Sequence, residues 1–364
     1  MRAGGFIEAG CFVRMVRIML LKVEDFSGDL IVTEKYQALL FVSFGGPDGP
    51  EDVVPFLENV LRGRNVPRER MLAVAEHYNS FGGKSPINEQ NLALIEALKP
   101  ALTKAGIELP IYFGNRNWHP LLPDTVREMQ LAGVKRALAF VTSGFSCYSG
   151  CRQYRENITA AIKEVGAGAP EIDKIRVFHN HPLFIETVVD LIKNSILESG
   201  VTGSEYEVVF CAHSIPDGMA KRSAYEIQLR EAARIVAEKL ELPHFSLAFQ
   251  SRSGPPTQSW LEPDICDHLS TLKSSGRKHV FVMPLGFISD HMEVIYDLDH
   301  EAKERAAELG LGFTRVPTPG VHPKFVNMIV RLVAERLSDS PFRECMGTLP
   351  PNPDYCALNC CLPR

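Results

Sequence analysis

The chain contains the same order of three apolar segments twice, and this repetition constrains the fold more than any other feature. Residues 36–47 resemble residues 206–216, residues 109–120 resemble residues 242–255, and residues 133–146 resemble residues 276–289. Each segment is an apolar run that ends in polar residues, and amphipathic stretches separate the runs, as in α/β folds with parallel strands. We therefore predict an α/β fold with two similar Rossmann-like halves, each a parallel sheet flanked by helices, and a cleft between them.

The length of 364 residues suits two or three domains, at about 100–200 residues each. From the repeat and the composition we predict five parts: an N-terminal extension (1–35), a first half (36–178), a second half (179–317), a C-terminal helix (318–338) and a tail rich in Cys and Pro (339–364). In the extension, Glu8, Arg14 and Arg17 interrupt the apolar run and no small-residue cleavage site follows, which disfavours a secretion signal. We expect a cytoplasmic protein whose nine cysteines form no disulfide framework.

Several classes of function are disfavoured by the sequence. A net charge of -5 gives no reason to expect a nucleic-acid partner. The sequence contains no apolar run of about 18 residues, so no transmembrane helix is predicted. No G-x-G-x-x-G or G-x-S-x-G motif occurs, and "GGKS" at residues 82–85 has Tyr78 where a P-loop needs its first glycine. Nucleotide-binding and acyl-transfer enzymes are therefore poorly supported, and the oligomeric state stays open.

Chemically capable residues follow each predicted strand, where parallel sheets bind their ligands. They are Phe44, Arg116, Ser146, Cys147, Tyr154, His213, Gln250, Ser251, Asp290, His291 and Glu293. We expect these residues to line the cleft. A lone histidine after a strand is often a hydrogen-bonded structural residue, but an imidazole beside carboxylates also makes a site for an ion such as Fe²⁺.

The segment "GFISDHMEVIYDLDH", residues 286–300, has two interpretations. As a solvated amphipathic helix it would bury Met292, Ile295 and Leu298 and leave its acids in water. Alternatively, its carboxylates conduct a cation, because on an α-helix Glu293, Asp297, Glu301 and Glu304 form one stripe at i, i+4, i+8 and i+11.

Seven motifs, taken together, resemble the ferrochelatase family, whose members insert Fe²⁺ into a porphyrin in haem synthesis. They are "SFGGP", "GGKSPI", "GNRNWHP", "FVTSGFSCYSGCRQYREN", "FCAHSIP", "FQSRSGP" and "GFISDHMEVIYDLD", in one collinear order between residues 36 and 335. The resemblance implies a metal-chelating enzyme of the lyase class, with porphyrin and Fe²⁺ as substrates and the porphyrin in the predicted cleft. A porphyrin or haem carrier on the same fold, and a cobalt or nickel chelatase of another tetrapyrrole, remain as alternatives.

The resemblance assigns roles to single positions. His213 and Glu293 match the catalytic pair that binds the substrate iron, and Asp290, His291 and Asp297 match neighbours on a helix, often π-helical, that conducts metal or protons. Ser85 and Tyr154 match positions that contact the porphyrin in the family. Arg116 matches an inward-facing arginine, and Phe44 is expected to stack on the macrocycle. Phe44 departs from the family, which often has Tyr or Met there, and a phenyl ring cannot ligate iron.

The choice of porphyrin depends on the segment that follows "SFGGP". Arg62, Arg64, Arg68 and Arg70 crowd this segment, and arginine suits carboxylates. We expect Arg62 and Arg64 to contact the porphyrin, and we favour coproporphyrin III, with four carboxylates, over protoporphyrin IX, with two. The alternative is that these arginines are solvated loop charges.

The tail carries three closely spaced cysteines, Cys356, Cys360 and Cys361. Some members of the resembled family hold a [2Fe–2S] cluster with three cysteines from such a tail and one from mid-chain. The resemblance therefore implies a [2Fe–2S] cofactor held by these three residues and Cys151, with Cys147 as the other mid-chain candidate and Cys345 in reserve. Zinc bound by the same thiolates, or free thiols, are the alternatives.

Overall fold

Two parallel four-stranded sheets form the framework of the protein, as the repeated segments predicted. The computed structural model describes residues 36–63, 66–338 and 342–363. The strands are β1 (Ala38–Ser43), β2 (Ile111–Asn115), β3 (Arg136–Val141), β4 (Glu171–Lys174), β5 (Tyr206–His213), β6 (Phe245–Gln250), β7 (His279–Met283) and β8 (Gly312–Arg315). The strand orders, β2-β1-β3-β4 and β6-β5-β7-β8, are the same, so the repeat in the sequence is a repeat in topology.

Helices connect the strands, as parallel pairing requires. In chain order they are α1 (Pro50–Val60), α2 (Arg68–Ser80), α3 (Ile87–Lys104), α4 (Leu122–Leu131), α5 (Gln153–Val165), α6 (Pro182–Ser199), α7 (Asp217–Ala220), α8 (Tyr225–Leu240), α9 (Ile265–Ser274), α10 (Met292–Val294), α11 (Lys303–Glu308) and α12 (Pro323–Leu337). Two segments, Tyr148–Arg152 and Ile295–Ala302, are π-helical. We call Ile295–Ala302 the π-segment.

The central strands are buried on both faces, which explains why their sequences are continuous apolar runs rather than alternating ones. Every residue of β1 is buried, and so are the six residues between Tyr206 and His213 in β5. In the first half, α3 packs on one face of the sheet through Leu94 and Leu98, and α4 covers the other. Polar side chains at the strand ends therefore emerge from a rigid frame.

Helix α2 of the first half contacts the π-segment of the second. The His77 ring stacks on the Tyr296 ring with 4.1 Å between centroids, and Phe81 meets Tyr296 edge-on at 6.2 Å. The Arg70 guanidinium donates to the carbonyl of Ser253 at 2.7 Å. These contacts hold α2 and α3 over the carboxyl ends of the second sheet.

The described part of the tail, residues 342–363, is fastened to both halves. Arg176 donates to both carboxylate oxygens of Glu335 and to the carbonyl of Glu344. Glu231 accepts hydrogen bonds from the backbone and hydroxyl of Thr348. Two of these charged groups, Arg176 and Glu231, are buried, and leaving a buried charge without its partner is strongly destabilising. The tail is therefore part of the folded structure.

Residues 1–35 and Arg64 lie outside the described residues, so the predictions made for them stay predictions. Within the described ranges, no helix combines the length and the apolarity needed to cross a membrane.

Candidate active site

His213 is the last residue of β5, and its side chain emerges at the carboxyl end of the second sheet. Its Nδ1 lies 2.5 Å from the carbonyl oxygen of Ser214, so Nδ1 carries the proton and donates it to that oxygen. In the neutral ring, Nε2 is then an acceptor. Nε2 faces the Glu293 carboxylate, with 3.7 Å to Oε2, and a third of the His213 side chain is exposed. The ring is thus oriented with a free electron pair toward solvent-accessible space.

Glu293 lies beyond β7, and the loop after this strand brings it to His213. Half of its side chain is exposed, and its Oε2 is 3.9 Å from Nδ1 of His291. Burial lowers the pKa of His291, so this imidazole is neutral near pH 7. One carboxylate oxygen is therefore flanked by two imidazoles from different elements, as the sequence predicted for His213 and Glu293.

The four acids drawn as one stripe do not lie on a regular α-helix, because residues 295–302 form the π-segment. Hydrogen bonds there join residues i and i+5, so the helical spacing differs from that of the predicted stripe. Glu293 and Glu301 still lie close enough to Asp297 to raise its pKa, and a cation path along these acids stays a prediction. Such distortions are frequent at functional sites, and this one follows immediately after the candidate pair.

Asp297 is a carboxylic acid held in a mostly buried position. Its Oδ2 accepts from the Ser251 hydroxyl and from Gln250 Nε2, the latter at 3.3 Å. Ser251 adopts φ +61°, a left-handed conformation that is uncommon for a residue other than glycine and occurs at functional sites. Burial, with Glu293 and Glu301 nearby, raises the pKa of Asp297 to about 7. The group therefore exchanges protons near neutral pH.

Asp290 differs from the other acids, because both of its oxygens are engaged. Arg315 donates to Oδ1 at 3.0 Å and to Oδ2 at 3.2 Å, and Thr318 donates to Oδ1 at 3.2 Å. Gln90 of α3 reaches Oδ2 at 3.4 Å. In this arrangement the carboxylate offers no free oxygen to a metal ion.

In the first half, three of the predicted porphyrin contacts lie together. The Arg116 guanidinium carbon is 4.5 Å from the centre of the Tyr154 ring and 5.5 Å from that of Phe44. Nε of Arg116 donates to Asn157 at 2.8 Å, which fixes the guanidinium between the two rings. Ser85 and Tyr154 are both buried, at 2% and 4% exposure, so their contacts with a porphyrin stay a prediction.

The four arginines of the predicted lip have different surroundings. Arg62 is exposed, at the end of α1, and Arg64 lies outside the described residues. Arg68 pairs with Glu58 at 3.2 Å, whereas Arg70 makes the contact with Ser253 described above. The role of Arg62 and Arg64 in porphyrin binding stays a prediction.

Tyr78, which was not predicted as a site residue, lies between the aromatic residues around Phe44 in the first half and the acidic residues of the second half. Its ring lies 5.9 Å from that of Phe56, which contacts Phe44 at 6.2 Å. Burial raises the pKa of Tyr78 above its usual range, and the nearby carboxylates of Glu293 and Asp297 raise it further. The phenol therefore stays neutral between the aromatic group of the first half and the acids of the second.

Two other residues of the site, Gln90 and Arg315, were also missed as functional positions. Gln250 and Ser251 were expected to line the cleft, because they follow a strand in "FQSRSGP", but they were given no specific role. Gln90 and Arg315 lie in a helix and an edge strand, where nothing in the local sequence marks them. Across the described part of the chain, no three His, Cys, Asp or Glu side chains are arranged to hold a metal ion.

The four predicted cluster cysteines lie near one another. Cys151 interacts with the Cys356 thiol, and Sγ of Cys360 is 3.4 Å from Sγ of Cys361. Cys151, Cys356 and Cys360 line a cavity of about 230 Å³ between the tail, α5 and β4. The hydrogen bond from the Cys356 thiol lowers the pKa of Cys151 and the positive charge of Lys174 lowers it further, whereas burial acts in the opposite direction.

Known proteins resemble this chain over most of its length. The ferrochelatase family model matches residues 36–337. The chain is 52% identical over 328 residues to a ferrochelatase of Rhodopirellula baltica, covering 90% of this chain and 93% of that protein. It is 46% identical over 359 residues to a coproporphyrin III ferrochelatase of Streptomyces coelicolor, covering 92% and 96%.

A solved structure, SirB from Bacillus subtilis with Fe³⁺, has the same fold at a TM-score of 0.53 and 15% identity, covering 84% of this chain and 96% of that one. This likeness concerns the fold alone. Since the family match and the sequence identities both extend over most of the chain, the protein belongs to the ferrochelatase family of metal chelatases.

Proposed function

We propose that the protein inserts Fe²⁺ into a porphyrin, with His213 and Glu293 as the residues that receive the iron. The observation that carries this proposal is the placement of His213 Nε2 opposite Glu293 Oε2, 3.7 Å apart and open to solvent. A neutral imidazole and a carboxylate suit Fe²⁺. Because only His213 and Glu293 are proposed to bind the ion, its other coordination positions stay open to the pyrrole nitrogens. A metal ion that is to be transferred to the porphyrin needs such open positions.

Insertion exchanges two pyrrole protons for one Fe²⁺, so the site must accept protons while it delivers the metal. Once the iron has passed from Nε2 of His213 to the pyrrole nitrogens, that nitrogen is free to accept one of the two protons, because Nδ1 already donates to Ser214. Asp297, with its pKa of about 7, receives and releases protons in the same pH range. We propose that protons leave through Asp297, which lies deeper in the protein than Glu293.

The porphyrin is proposed to lie against Phe44, Arg116 and Tyr154. The Phe44 ring offers an apolar surface to the macrocycle, and Arg116 is a fixed cation for a carboxylate. A cleft that holds the macrocycle bent exposes its nitrogens to the metal, at a cost met by binding energy. Ser85 is a further proposed contact, which requires a local opening because the residue is buried.

We propose coproporphyrin III as the porphyrin. The relatives from Streptomyces coelicolor and Nocardia farcinica, 46% and 48% identical, are coproporphyrin III ferrochelatases. The exposed Arg62, together with Arg64, adds positive charge near the predicted lip. A porphyrin with four carboxylates gains more from these charges than one with two.

A [2Fe–2S] cluster is proposed as a structural cofactor of the tail. Its four proposed ligands lie near one another, and Lys174 and Arg155 supply positive charge beside Cys151. The described thiols are not arranged to hold a metal ion, so binding a cluster would require them to shift. Cys151 fits better than Cys147, because burial raises the pKa of Cys147 and its sulfur accepts from the Gly150 amide. Cys345 is exposed and does not line the cavity. When bound, such a cluster would join the tail to α5 and need not take part in insertion.

The cellular location is proposed to be the cytoplasm. The proposal depends on the role proposed for the cysteines of the tail as cluster ligands, which requires a reducing compartment.

Replacing His213 with Ala or Glu293 with Gln is expected to lower kcat for iron insertion by about 100-fold or more, because each removes a metal or proton acceptor. Asp297→Asn should lower kcat less, since it lies outside the pair. The measurement is the change in porphyrin absorbance under anaerobic conditions with Fe²⁺. His244→Ala, at the amino end of β6, is a matched control that should retain activity. A His213→Ala enzyme with near-normal kcat would contradict the assignment.

Reversing the charge of Arg62 with Arg62→Glu is expected to raise KM for coproporphyrin III more than for protoporphyrin IX. The reason is that the porphyrin with more carboxylates loses more attraction. Lys193→Glu, an exposed residue of α6, changes net charge equally and controls for long-range effects. Equal increases of KM for both porphyrins, or a wild-type enzyme that metallates only protoporphyrin IX, would contradict the substrate proposal.

Protein purified without oxygen is expected to be brown and to contain about two iron and two acid-labile sulfide per chain. Cys151→Ser and Cys356→Ser should lose the colour, whereas Cys266→Ser in α9 should keep it. Loss of colour in Cys147→Ser with retention in Cys151→Ser would reverse the mid-chain assignment. Colourless, iron-free protein after reconstitution, with full insertion activity, would refute the cluster, and stoichiometric zinc would replace it with a zinc site.

A further inference from the structure

The segment that carries His291 and Glu293 is held by a set of polar contacts that the proposed chemistry does not use. Arg315, the last residue of β8, donates to both oxygens of Asp290 and, through Nε, to Asp299 at 2.6 Å. The Arg315 and Asp290 side chains are only 20% and 16% exposed, so their interaction is little screened by solvent. A guanidinium that binds two carboxylates at once fixes the loop before Glu293 and the π-segment after it against one strand.

A second contact connects this arrangement to the first half. Gln90 of α3 accepts a hydrogen bond from the Asp290 amide at 2.7 Å and donates to the Asp290 side chain at 3.4 Å. Because Gln90 and Asp290 belong to different halves, these contacts fix the position of the loop relative to both halves. The amide contact depends only on the backbone of Asp290, so it survives changes of that side chain.

We propose that Asp290, Arg315 and Gln90 form a latch that positions His291 and Glu293, and that Asp290 is a positioning residue rather than a ligand on the metal path. The inference rests on the proposed function of Glu293 and His213. Arg315 neutralises the acids of Asp290 and Asp299, and it thereby removes them as competing sites for Fe²⁺. The iron then meets Glu293, whose half-exposed carboxylate faces the imidazoles of His213 and His291.

A double-mutant cycle of Asp290→Asn and Arg315→Gln tests the latch. Both changes break the same contact, so each is expected to lower kcat by about 10- to 100-fold through misplacement of Glu293. The double variant should be no slower than the slower single variant, and KM for Fe²⁺ should stay within about twofold of the wild-type value. Arg315→Lys retains the charge but loses the fork, and it should recover only part of kcat.

The alternative role of Asp290 as a metal ligand gives a different pattern. Asp290→Asn would then raise KM for Fe²⁺ with little change in kcat, and Arg315→Gln, which frees the carboxylate, would lower KM. That pattern, or losses in kcat that multiply in the double variant, would overturn the latch.

Two measurements keep the test decisive if Arg315→Gln folds poorly. Gln90→Leu removes only the two contacts between Gln90 and Asp290, and it should lower kcat without changing KM for Fe²⁺. Urea unfolding of every variant separates loss of folded protein from loss of kcat per folded molecule. A Gln90→Leu enzyme with wild-type kcat would overturn the contribution of the first half. These results can be told apart from a failure of the proposed function. If the proposed function were wrong, His213→Ala would keep its activity, whatever the latch variants do.

Discussion

The parallel pairing of β5 with its two neighbours is the constraint on which the site depends. In register, His213 lies beside Gln250 of β6, and Phe210 beside Met283, the last residue of β7. Gln250, paired with His213 on the sheet, donates to the Glu293 carbonyl at 3.1 Å. A shift of one residue in either pairing would turn these side chains to the other face of the sheet. The strand register therefore sets the distance between the two proposed iron donors.

The sequence predicted the two sheets, and it singled out His213 and Glu293, which lie 3.7 Å apart in the structure. Parallel strands are buried apolar runs with functional residues at their carboxyl ends, and both properties can be read locally in a sequence. The iron-binding role of the pair stays a prediction. The stripe of acids through Asp297 and Glu301 was drawn on an α-helix, whereas residues 295–302 are π-helical. Residue spacing alone does not show where a helix departs from the α form, and only the resemblance to the ferrochelatase family indicated a π-helix here.

Contacts between distant elements were the part that sequence reasoning missed. Gln90 and Asp290 are separated by 200 positions in the chain, and no local pattern connects a glutamine in the first turn of an amphipathic helix with a loop in the other half. Arg315 ends a short edge strand, where arginine is unremarkable by itself. The cysteines lie close together because Arg176 and Glu231 bind the tail to both halves. Neither residue belongs to any of the seven sequence motifs. Such contacts follow from packing of the whole chain.

The account assigns the iron to one place, between an imidazole that ends β5 and a carboxylate that begins the helix after β7. Anomalous diffraction at the iron absorption edge, from crystals soaked anaerobically in Fe²⁺ without porphyrin, locates the metal directly. The account predicts a peak between Nε2 of His213 and the carboxylate of Glu293, which is absent in His213→Ala crystals soaked in the same way. A peak beside Asp290 and Asp299, with none at His213, would contradict it.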